Sequence, residues 1–238
     1  MKHILLSVLF ICILFVLSGQ NMSMYSKIHK DYLAKQSTIN NSILFKENRV
    51  LPYYLQETND RDINYDYWQS DKVNPYNENE IPFEYKITLG TYSMPCENAD
   101  VINSSYGYRK KFGRMHKGID LKASTGDTIY AVFDGKVRLT KYERGGFGFY
   151  IIVRHYNSTE TVYAHLSRFL VKPDQYVKSG DAIGLAGNSG RSTGPHLHFE
   201  IRYMGYAINP EGVFDFNNKV TKKDHYTFKK STYQKKQS

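Results

Sequence analysis

Two histidines lie two residues apart in the segment GPHLHFE, residues 194–200. Polar and apolar residues alternate along this segment, and a period of two predicts a β-strand with one polar and one apolar face. The polar face carries His196, His198 and Glu200. Imidazoles bind metals and also transfer protons near neutral pH, so this pair could serve either chemistry. A plain surface strand does not need two such neighbours.

A second candidate pair is His116 and Asp120 in the segment MHKGIDL. Gly118 and Ile119 disfavour a helix between them, but positions four apart share a face of an extended segment as well as of a helix. Either geometry directs an imidazole and a carboxylate towards one point. A further histidine, His165, follows an apolar run in TVYAHLS, where a lone histidine is more often a hydrogen-bonded packing residue.

Together these residues are typical of a catalytic zinc site, which takes three protein ligands and leaves a fourth position for water. The candidates outnumber three ligands, so one or two histidines are expected to act on the water and the substrate. The only cysteines are Cys12 and Cys96, which excludes a zinc site built from thiolates. Cys96 is expected to be a small buried residue. No HExxH motif is present, so the helix-borne zincin arrangement is absent.

Three segments, MHKGID, YAHLS and GNSGRSTGPHLHFE, closely resemble the M23 (LytM and lysostaphin-like) zinc metallopeptidases. The resemblance runs from about residue 103 to 210, roughly a whole catalytic domain, with the segments in the order found in the family. It implies that His116, Asp120 and His198 bind zinc and that His196 and His165 are catalytic residues beside the metal. It also implies hydrolysis of peptide bonds in the stem peptides or cross-bridges of peptidoglycan.

Neighbouring segments are expected to support this site. A metal-bound histidine usually needs a hydrogen-bond acceptor at its other nitrogen, and Glu200 is the candidate for His198. The glycine-rich GNSGRSTG lacks the lysine of a phosphate-binding loop and is predicted to line a substrate groove, where Arg191 would contact a peptide backbone. The segment RGGFG is predicted to form a hairpin turn at the groove rim.

From residue 81 onward, short β-prone runs alternate with turn signals, and no long stretch has helical periodicity. This pattern predicts an all-β fold, an antiparallel β-sandwich or barrel-like catalytic domain over residues 81–216. Asp134 and Gly135 are predicted to form a hairpin turn between two runs. Residues 20–80 are polar and are predicted to form an extended arm or linker. Residues 217–238 are predicted to be a basic tail.

The N-terminus and the charge indicate an exported protein. Lys2 and His3 precede a short apolar run and then small residues, so residues 1–19 are predicted to be a signal peptide or a short membrane anchor. The protein is therefore expected in the periplasm or elsewhere in the cell envelope. The formal charge of +9 suggests a polyanionic neighbour. We expect the basic tail to contact an anionic wall or membrane, and export argues against a nucleic-acid partner.

Two other functions compete with the enzyme. A non-catalytic relative would bind the wall or activate another wall hydrolase, but such proteins typically lack one or more zinc residues, and all five positions are present here. The glycine turns in DGKV and VKSGDAIG suggest a lipoyl- or biotinyl-like carrier domain. That domain needs an exposed lysine for modification in a tight hairpin, and none is evident.

Overall fold

The computed structural model describes residues 68–234, so the segment at residues 1–19 and most of the predicted arm lie outside the described residues. The strands are β1 (Glu84–Thr88), β2 (Ile102–Ser104), β3 (Gly107–Arg109), β4 (Arg114–His116), β5 (Ile119–Leu121), β6 (Thr128–Tyr130), β7 (Gly135–Glu143), β8 (Gly148–His155), β9 (Thr159–Phe169), β10 (Tyr176–Val177), β11 (Ala182–Ala186), β12 (Leu197–Tyr203), β13 (Tyr206–Ile208), β14 (Phe214–Asp215), β15 (Val220–Thr221) and β16 (His225–Lys229). The helices are α1 (Pro210–Val213), α2 (Lys230–Gln234) and two short 3-10 turns (Glu78–Glu80 and Lys110–Phe112). Within residues 68–234, no helix is both long enough and apolar enough to cross a membrane.

The strands pair antiparallel throughout the described residues. The largest sheet has the order β10-β7-β8-β9-β12-β5-β2, with β13 paired to β12 and β11 joining through β9. The predicted all-β, antiparallel class is therefore confirmed. In the described part of the chain the strand order does not return to its start, so the sheet stays open and does not close as a barrel.

The central strands β8, β9 and β12 are buried along most of their length, which explains their apolar sequences. One face packs into the main core, where Ile151, Tyr163 and Phe199 are fully buried. The other face carries a smaller apolar cluster: Leu139, Tyr150, Ile152, Val162 and Ala164. Burying one large apolar side chain stabilises a fold by about 1.5–3 kcal/mol, and a slip of one residue would exchange the two faces. This packing therefore fixes the face of β12 on which His198 lies.

The two predicted turns have different outcomes. The loop between β7 and β8 joins paired strands, with Glu143 opposite Gly148, so the hairpin predicted for RGGFG is confirmed. The hairpin predicted at Asp134 and Gly135 is wrong, because β6 pairs with β11 while β7 pairs with β8 and β10. Position 135 needs glycine because of a close contact with β8 and not because of a turn. A Cβ at this position would lie 2.2 Å from the carbonyl oxygen of Arg154, so only glycine fits where β7 passes β8.

The segment predicted as a basic tail contains ordered elements up to α2. β16 pairs along its whole length with β1, and β15 pairs with β14. Phe228 of β16 is fully buried against the rings of Tyr203 and Tyr233. The ammonium group of Lys230 donates to the carbonyl oxygen of Glu78 at 2.8 Å. The described part of this segment therefore belongs to the folded domain, because its scattered aromatic residues complete a core among the many lysines.

The described end of the predicted arm is held against the sheet. Arg138 of β7 donates from Nη1 to the carbonyl oxygens of Gln69 and Lys72, each at 2.6 Å, and from Nη2 to that of Val73 at 3.1 Å. The Val73 side chain packs on the smaller apolar cluster. Part of the arm therefore covers the same sheet face that carries His198.

Cys96 is buried, as predicted, with 3% of its surface exposed. Burial raises the pKa of its thiol to about 12, because a thiolate would lose its hydration there. The thiol is therefore unreactive at neutral pH.

Candidate functional site

Adjacent strands bring the three predicted metal ligands together. Asp120 of β5 lies directly opposite His198 of β12 in the antiparallel ladder. His116 ends β4, and a two-residue connection leads from it to β5. That connection contains Gly118, where a Cβ would lie 2.3 Å from the carbonyl oxygen of Phe199. Glycine therefore allows the chain between His116 and Asp120 to lie against β12.

Three side-chain atoms converge on one point. The Nε2 atom of His116 lies 3.1 Å from Oδ1 of Asp120 and 3.0 Å from Nδ1 of His198. The distance from Nδ1 of His198 to Oδ1 of Asp120 is also 3.0 Å. His116 and His198 are buried, and Asp120 is mostly buried. The three atoms thus form a nearly equilateral triangle.

The outer nitrogen of each ligand histidine is held by an acceptor. Nδ1 of His116 donates to the carbonyl oxygen of Ser105 at 2.8 Å. Nε2 of His198 donates to Oε1 of Glu200 at 2.9 Å. In a neutral imidazole only one nitrogen carries hydrogen, so these bonds leave lone pairs on the two nitrogens that face Asp120.

Three electron-pair donors within this distance of one another fit a cation. Tetrahedral zinc binds nitrogen and oxygen ligands at about 2.0–2.2 Å, which requires ligand atoms about 3.4 Å apart. The pKa values also indicate that the site stabilises positive charge. Burial disfavours protonation of His198, but the carboxylates of Asp120 and Glu200 outweigh it and raise its pKa to about 9. Burial disfavours ionisation of Asp120, but the neighbouring imidazoles of His116, His196 and His198 hold its pKa well below the usual range.

Glu200 is the acceptor that the sequence suggested for His198. Its second oxygen, Oε2, accepts from the guanidinium of Arg202 at 2.6 Å. Burial raises the pKa of Glu200, but Arg202 and His198 outweigh this effect and lower it to about 2. The carboxylate is therefore ionised at neutral pH and fixes both the tautomer and the ring orientation of His198.

Arg109 is a site residue that sequence reasoning missed. Its Nη2 donates to Oδ2 of Asp120 at 2.6 Å and to Oγ of Ser104 at 2.7 Å. These bonds use both hydrogens of Nη2, so the neighbouring Nδ1 of His116 keeps its own hydrogen for Ser105. Arg109 thereby occupies one oxygen of Asp120 and leaves Oδ1 for the triangle. The only available signal was its place in the segment NSSYGYR, since it is not spaced regularly from any histidine.

The two remaining histidines lie beside the triangle. Nδ1 of His196 donates to the carbonyl oxygen of Gly194 at 2.8 Å, and its Nε2 lies 3.6 Å from Oδ1 of Asp120. Nδ1 of His165 donates to the carbonyl oxygen of Ser189 at 2.8 Å. The rings of His165 and His196 are 4.8 Å apart between centroids. The structure thus brings together all five residues that the sequence singled out.

His165 has an unusual backbone. Its φ of 62° lies in the left-handed region, which residues with a side chain rarely adopt. Its peptide N–H donates to the carbonyl oxygen of Phe147 in the β7–β8 hairpin at 2.8 Å. Backbone strain of this kind is concentrated at functional sites. Burial lowers the pKa of the His165 imidazole to about 4, so the ring is neutral at physiological pH.

These side chains face a groove of about 860 Å³. Its walls are the β3–β4 hairpin, the β7–β8 hairpin and the loop at residues 191–196, as predicted for the two glycine-rich segments. Phe147 lies 5.7 Å from the His198 ring between centroids. Both loops need glycine, because a Cβ on Gly190 would lie 2.2 Å from the backbone nitrogen of Gly148. Tight contact between these two loops therefore shapes one wall of the groove.

Comparison with known proteins agrees with this arrangement. Residues 114–210 match the model of peptidase family M23, and these residues contain all five site residues. The part of the chain that carries the site therefore matches this family. The resemblance proposed from the three sequence segments is thus confirmed.

Several relatives align with this domain. An uncharacterized metalloprotease of Haemophilus influenzae is 50% identical over 97 residues, which are 41% of this chain and 20% of the relative. The DD-carboxypeptidase/endopeptidase Mpg of Neisseria meningitidis serogroup B is 40% identical over 131 residues, 53% of this chain and 30% of the relative. The peptidoglycan DD-endopeptidase ShyC of Vibrio cholerae is 43% identical over 100 residues, 42% and 23% respectively. This chain therefore spans less than a third of each relative.

Proposed function

We propose that this protein is an exported, zinc-dependent endopeptidase that hydrolyses peptide bonds in the stem peptides or cross-bridges of bacterial peptidoglycan. One observation carries the proposal. Two imidazole nitrogens and one carboxylate oxygen converge at 3.0–3.1 Å, and two further imidazoles lie beside them in an open groove. A structural zinc site would use four protein ligands and would be closed to substrate.

His116, Asp120 and His198 would hold the metal. When bound, zinc supplies Lewis-acid polarisation of a carbonyl group and lowers the pKa of a water molecule in its coordination shell. Arg109 neutralises the outer oxygen of Asp120, and Glu200 orients His198. The protein's own contribution at this point is to aim three ligand atoms at one place and to surround them with carboxylate charge that favours a cation.

His165 and His196 would move the proton. In each ring Nδ1 donates to a backbone carbonyl, so Nε2 is the nitrogen left to accept or return a proton. The neutral state of His165 suits a proton acceptor. His196 lies nearer to the metal ligands, and its protonated ring would stabilise negative charge that develops on the scissile carbonyl oxygen. Both histidines would also orient the attacking water.

The substrate is inferred from the relatives. One matched relative is named as a peptidoglycan DD-endopeptidase and another as a DD-carboxypeptidase/endopeptidase. An open groove suits an extended peptide better than a small molecule, and the predicted signal or anchor would deliver the protein to the cell envelope. Contact of the basic C-terminal segment with an anionic wall or membrane stays a prediction, which salt-dependent sedimentation with purified peptidoglycan would check.

Alanine substitutions separate metal binding from catalysis. We expect His116→Ala and Asp120→Ala to lose both bound zinc and the release of peptidoglycan fragments. His196→Ala and His165→Ala should keep zinc but lose on the order of 100-fold or more of the cleavage rate, because a proton-transfer group is removed. Zinc is measured by metal analysis, and fragments by mass spectrometry of digested wall. His225→Ala, which lies outside the groove, is the control and should change neither.

The same measurements test the rival function. A non-catalytic wall-binding relative would contain little zinc, release no fragments and still sediment with peptidoglycan. Retention of the original cleavage rate by His196→Ala would contradict the role assigned to that residue.

A further inference from the structure

The groove beside the metal ligands is lined by cations. Its exposed positive side chains belong to the β3–β4 hairpin with the residue that follows it, and to the loop opposite: Lys110, Lys111, Arg114, Lys117 and Arg191. The chain from residue 101 to 119 contains no acidic residue. This concentration of charge lies at the site itself and is separate from the basic C-terminal segment.

The cations of this rim have no counter-charge in the described part of the chain. None of the five forms an ion pair with a described residue. Three acidic residues line the same groove. Asp120 is bound by Arg109, Glu200 is bound by Arg202, and Glu143 accepts from the peptide N–H of Phe147 at 3.2 Å. The groove therefore presents a net positive surface to any ligand.

The β3–β4 hairpin is fixed relative to the metal ligands. β3 pairs with β4, with Gly107 opposite His116. Arg109 at the end of β3 is tied to Asp120. The turn closes at Gly113, which has a φ of 60°. The lysines at this turn are therefore attached to a short hairpin whose base is part of the site, so a charge on a bound substrate meets them at a defined distance from the scissile bond.

We infer that the groove selects peptides that carry free carboxylates on residues flanking the scissile bond, and disfavours peptides in which these groups are amidated or replaced by glycine. The inference rests on the proposed endopeptidase function. Free carboxylates are the anionic groups that a peptide substrate offers near its backbone. The cations line a groove with the metal ligands at its base, which favours recognition of the cleaved peptide over attachment to a distant polyphosphate polymer. Exposed ion pairs contribute little singly, but several that act together give measurable selectivity.

The test compares two peptide dimers with the same cross-link, one with free carboxylates and one with these groups amidated. We expect the wild-type protein to cleave the free form with a kcat/KM about tenfold higher at low salt, mostly through KM, since several exposed charge pairs contribute together and salt screens them. The variant K110Q/K111Q/R114Q/K117Q should reduce that ratio to less than about threefold. The control K172Q/K178Q removes two exposed lysines outside the groove and should keep the full preference.

The outcomes of this test separate the proposed function from the inference about selectivity. Cleavage of neither dimer by a zinc-loaded protein would refute the proposed function. Equal cleavage of both dimers would overturn the inference while the proposed function stands. A quadruple variant that binds wall polyphosphate less tightly but keeps its preference for the free dimer would also overturn it, since the rim would then serve attachment. Unfolding curves of the variants show whether a lost preference comes from a misfolded hairpin.

Discussion

Two clusters of buried charge lie on one face of the central sheet, and their hydrogen bonds differ in kind. At one end, the guanidinium of Arg138 donates all five of its N–H groups, to Glu160 and to three carbonyl oxygens of residues 69–73. At the other end, His116, Asp120 and His198 direct two imidazole nitrogens and one carboxylate oxygen at one another, 3.0–3.1 Å apart. The first cluster is covered by the chain, and the second faces a groove.

This difference shows how one fold separates stability from function. Buried charges are tolerated when every donor meets an acceptor, as at Arg138 and Glu160. A buried set with an excess of acceptors costs free energy unless a cation binds. The functional end of the sheet is therefore the end where buried acceptor atoms outnumber donors, although both ends contain strongly charged residues.

Glu160→Gln tests the end of the sheet at Arg138, which the chain covers and which we call the closed end. This substitution would leave Arg138 and Arg154 buried without their shared carboxylate, so we expect the free energy of unfolding to fall by about 3–5 kcal/mol. Urea denaturation of the purified protein measures it. The matched control is Glu84→Gln, which breaks an exposed ion pair with Lys229 and should cost less than about 1 kcal/mol. Equal losses in the two variants would show that the closed cluster is not what stabilises this end.

Glu200→Gln tests the end of the sheet at His198, which faces the groove and which we call the open end. The amide can still accept from His198 but no longer carries the charge that holds the imidazole, so zinc affinity should fall about 10- to 100-fold. Competition with a chelator of known affinity measures the dissociation constant. Glu160→Gln is the control, because it is a buried glutamate-to-glutamine change on the same sheet face that does not contact a ligand histidine. A similar loss of zinc affinity in both variants would remove the distinction between the two ends.

A comparison of histidines sharpens the contrast. His155 is fully buried, with Nδ1 3.1 Å from the carbonyl oxygen of Asp134 and Nε2 2.6 Å from Oγ1 of Thr161, so both nitrogens have partners. Burial lowers its pKa to about 4. The unfolded chain binds this proton near pH 6.5 and the folded chain does not, so stability falls as the pH falls from 6.5 towards 4. We expect a loss of about 2 kcal/mol between pH 7 and pH 5 from this group.

Denaturation of the metal-free protein at both pH values measures this loss. His155→Gln removes the titrating group, so the variant should lose about 2 kcal/mol less than the wild type over the same interval. Identical losses in the two proteins would show that folding does not shift the pKa of His155.

Prediction from the sequence succeeded where a pattern was local. The period-two alternation in GPHLHFE predicted a strand with two imidazoles and Glu200 on one face. β12 carries His198 and Glu200 on one face, and His196 lies directly before the strand. It failed where a residue's partner is distant. Arg109 has no regular spacing from Asp120, and Gly135 was taken for a turn residue when its reason is contact with β8.

Residues 217–234 and residues 69–73 show the same limit. The sequence of residues 217–238 is dominated by lysine, which suggested a solvated tail. In the structure, β16 pairs with β1, which lies more than a hundred residues earlier in the chain. Its core contribution comes mainly from Phe228, and one aromatic residue among lysines is not a recognisable pattern. Residues 69–73 contribute carbonyl oxygens to Arg138, and side-chain patterning carries no information about such a contact.

By itself, the amino-acid sequence determined the antiparallel β class, the resemblance to peptidase family M23 and the five candidate site residues, because strand periodicity and short motifs are written within a few consecutive positions. Only the tertiary structure decided which nitrogen of each histidine faces its neighbours, which oxygen of Asp120 is left for the triangle and which end of the sheet is open. These properties depend on partners such as Ser105, Arg109 and Glu200, which meet the ligands through backbone carbonyls, a neighbouring hairpin and strand register. Hydrogen bonds are formed between atoms that folding brings within about 3 Å, and spacing along the chain does not encode that distance.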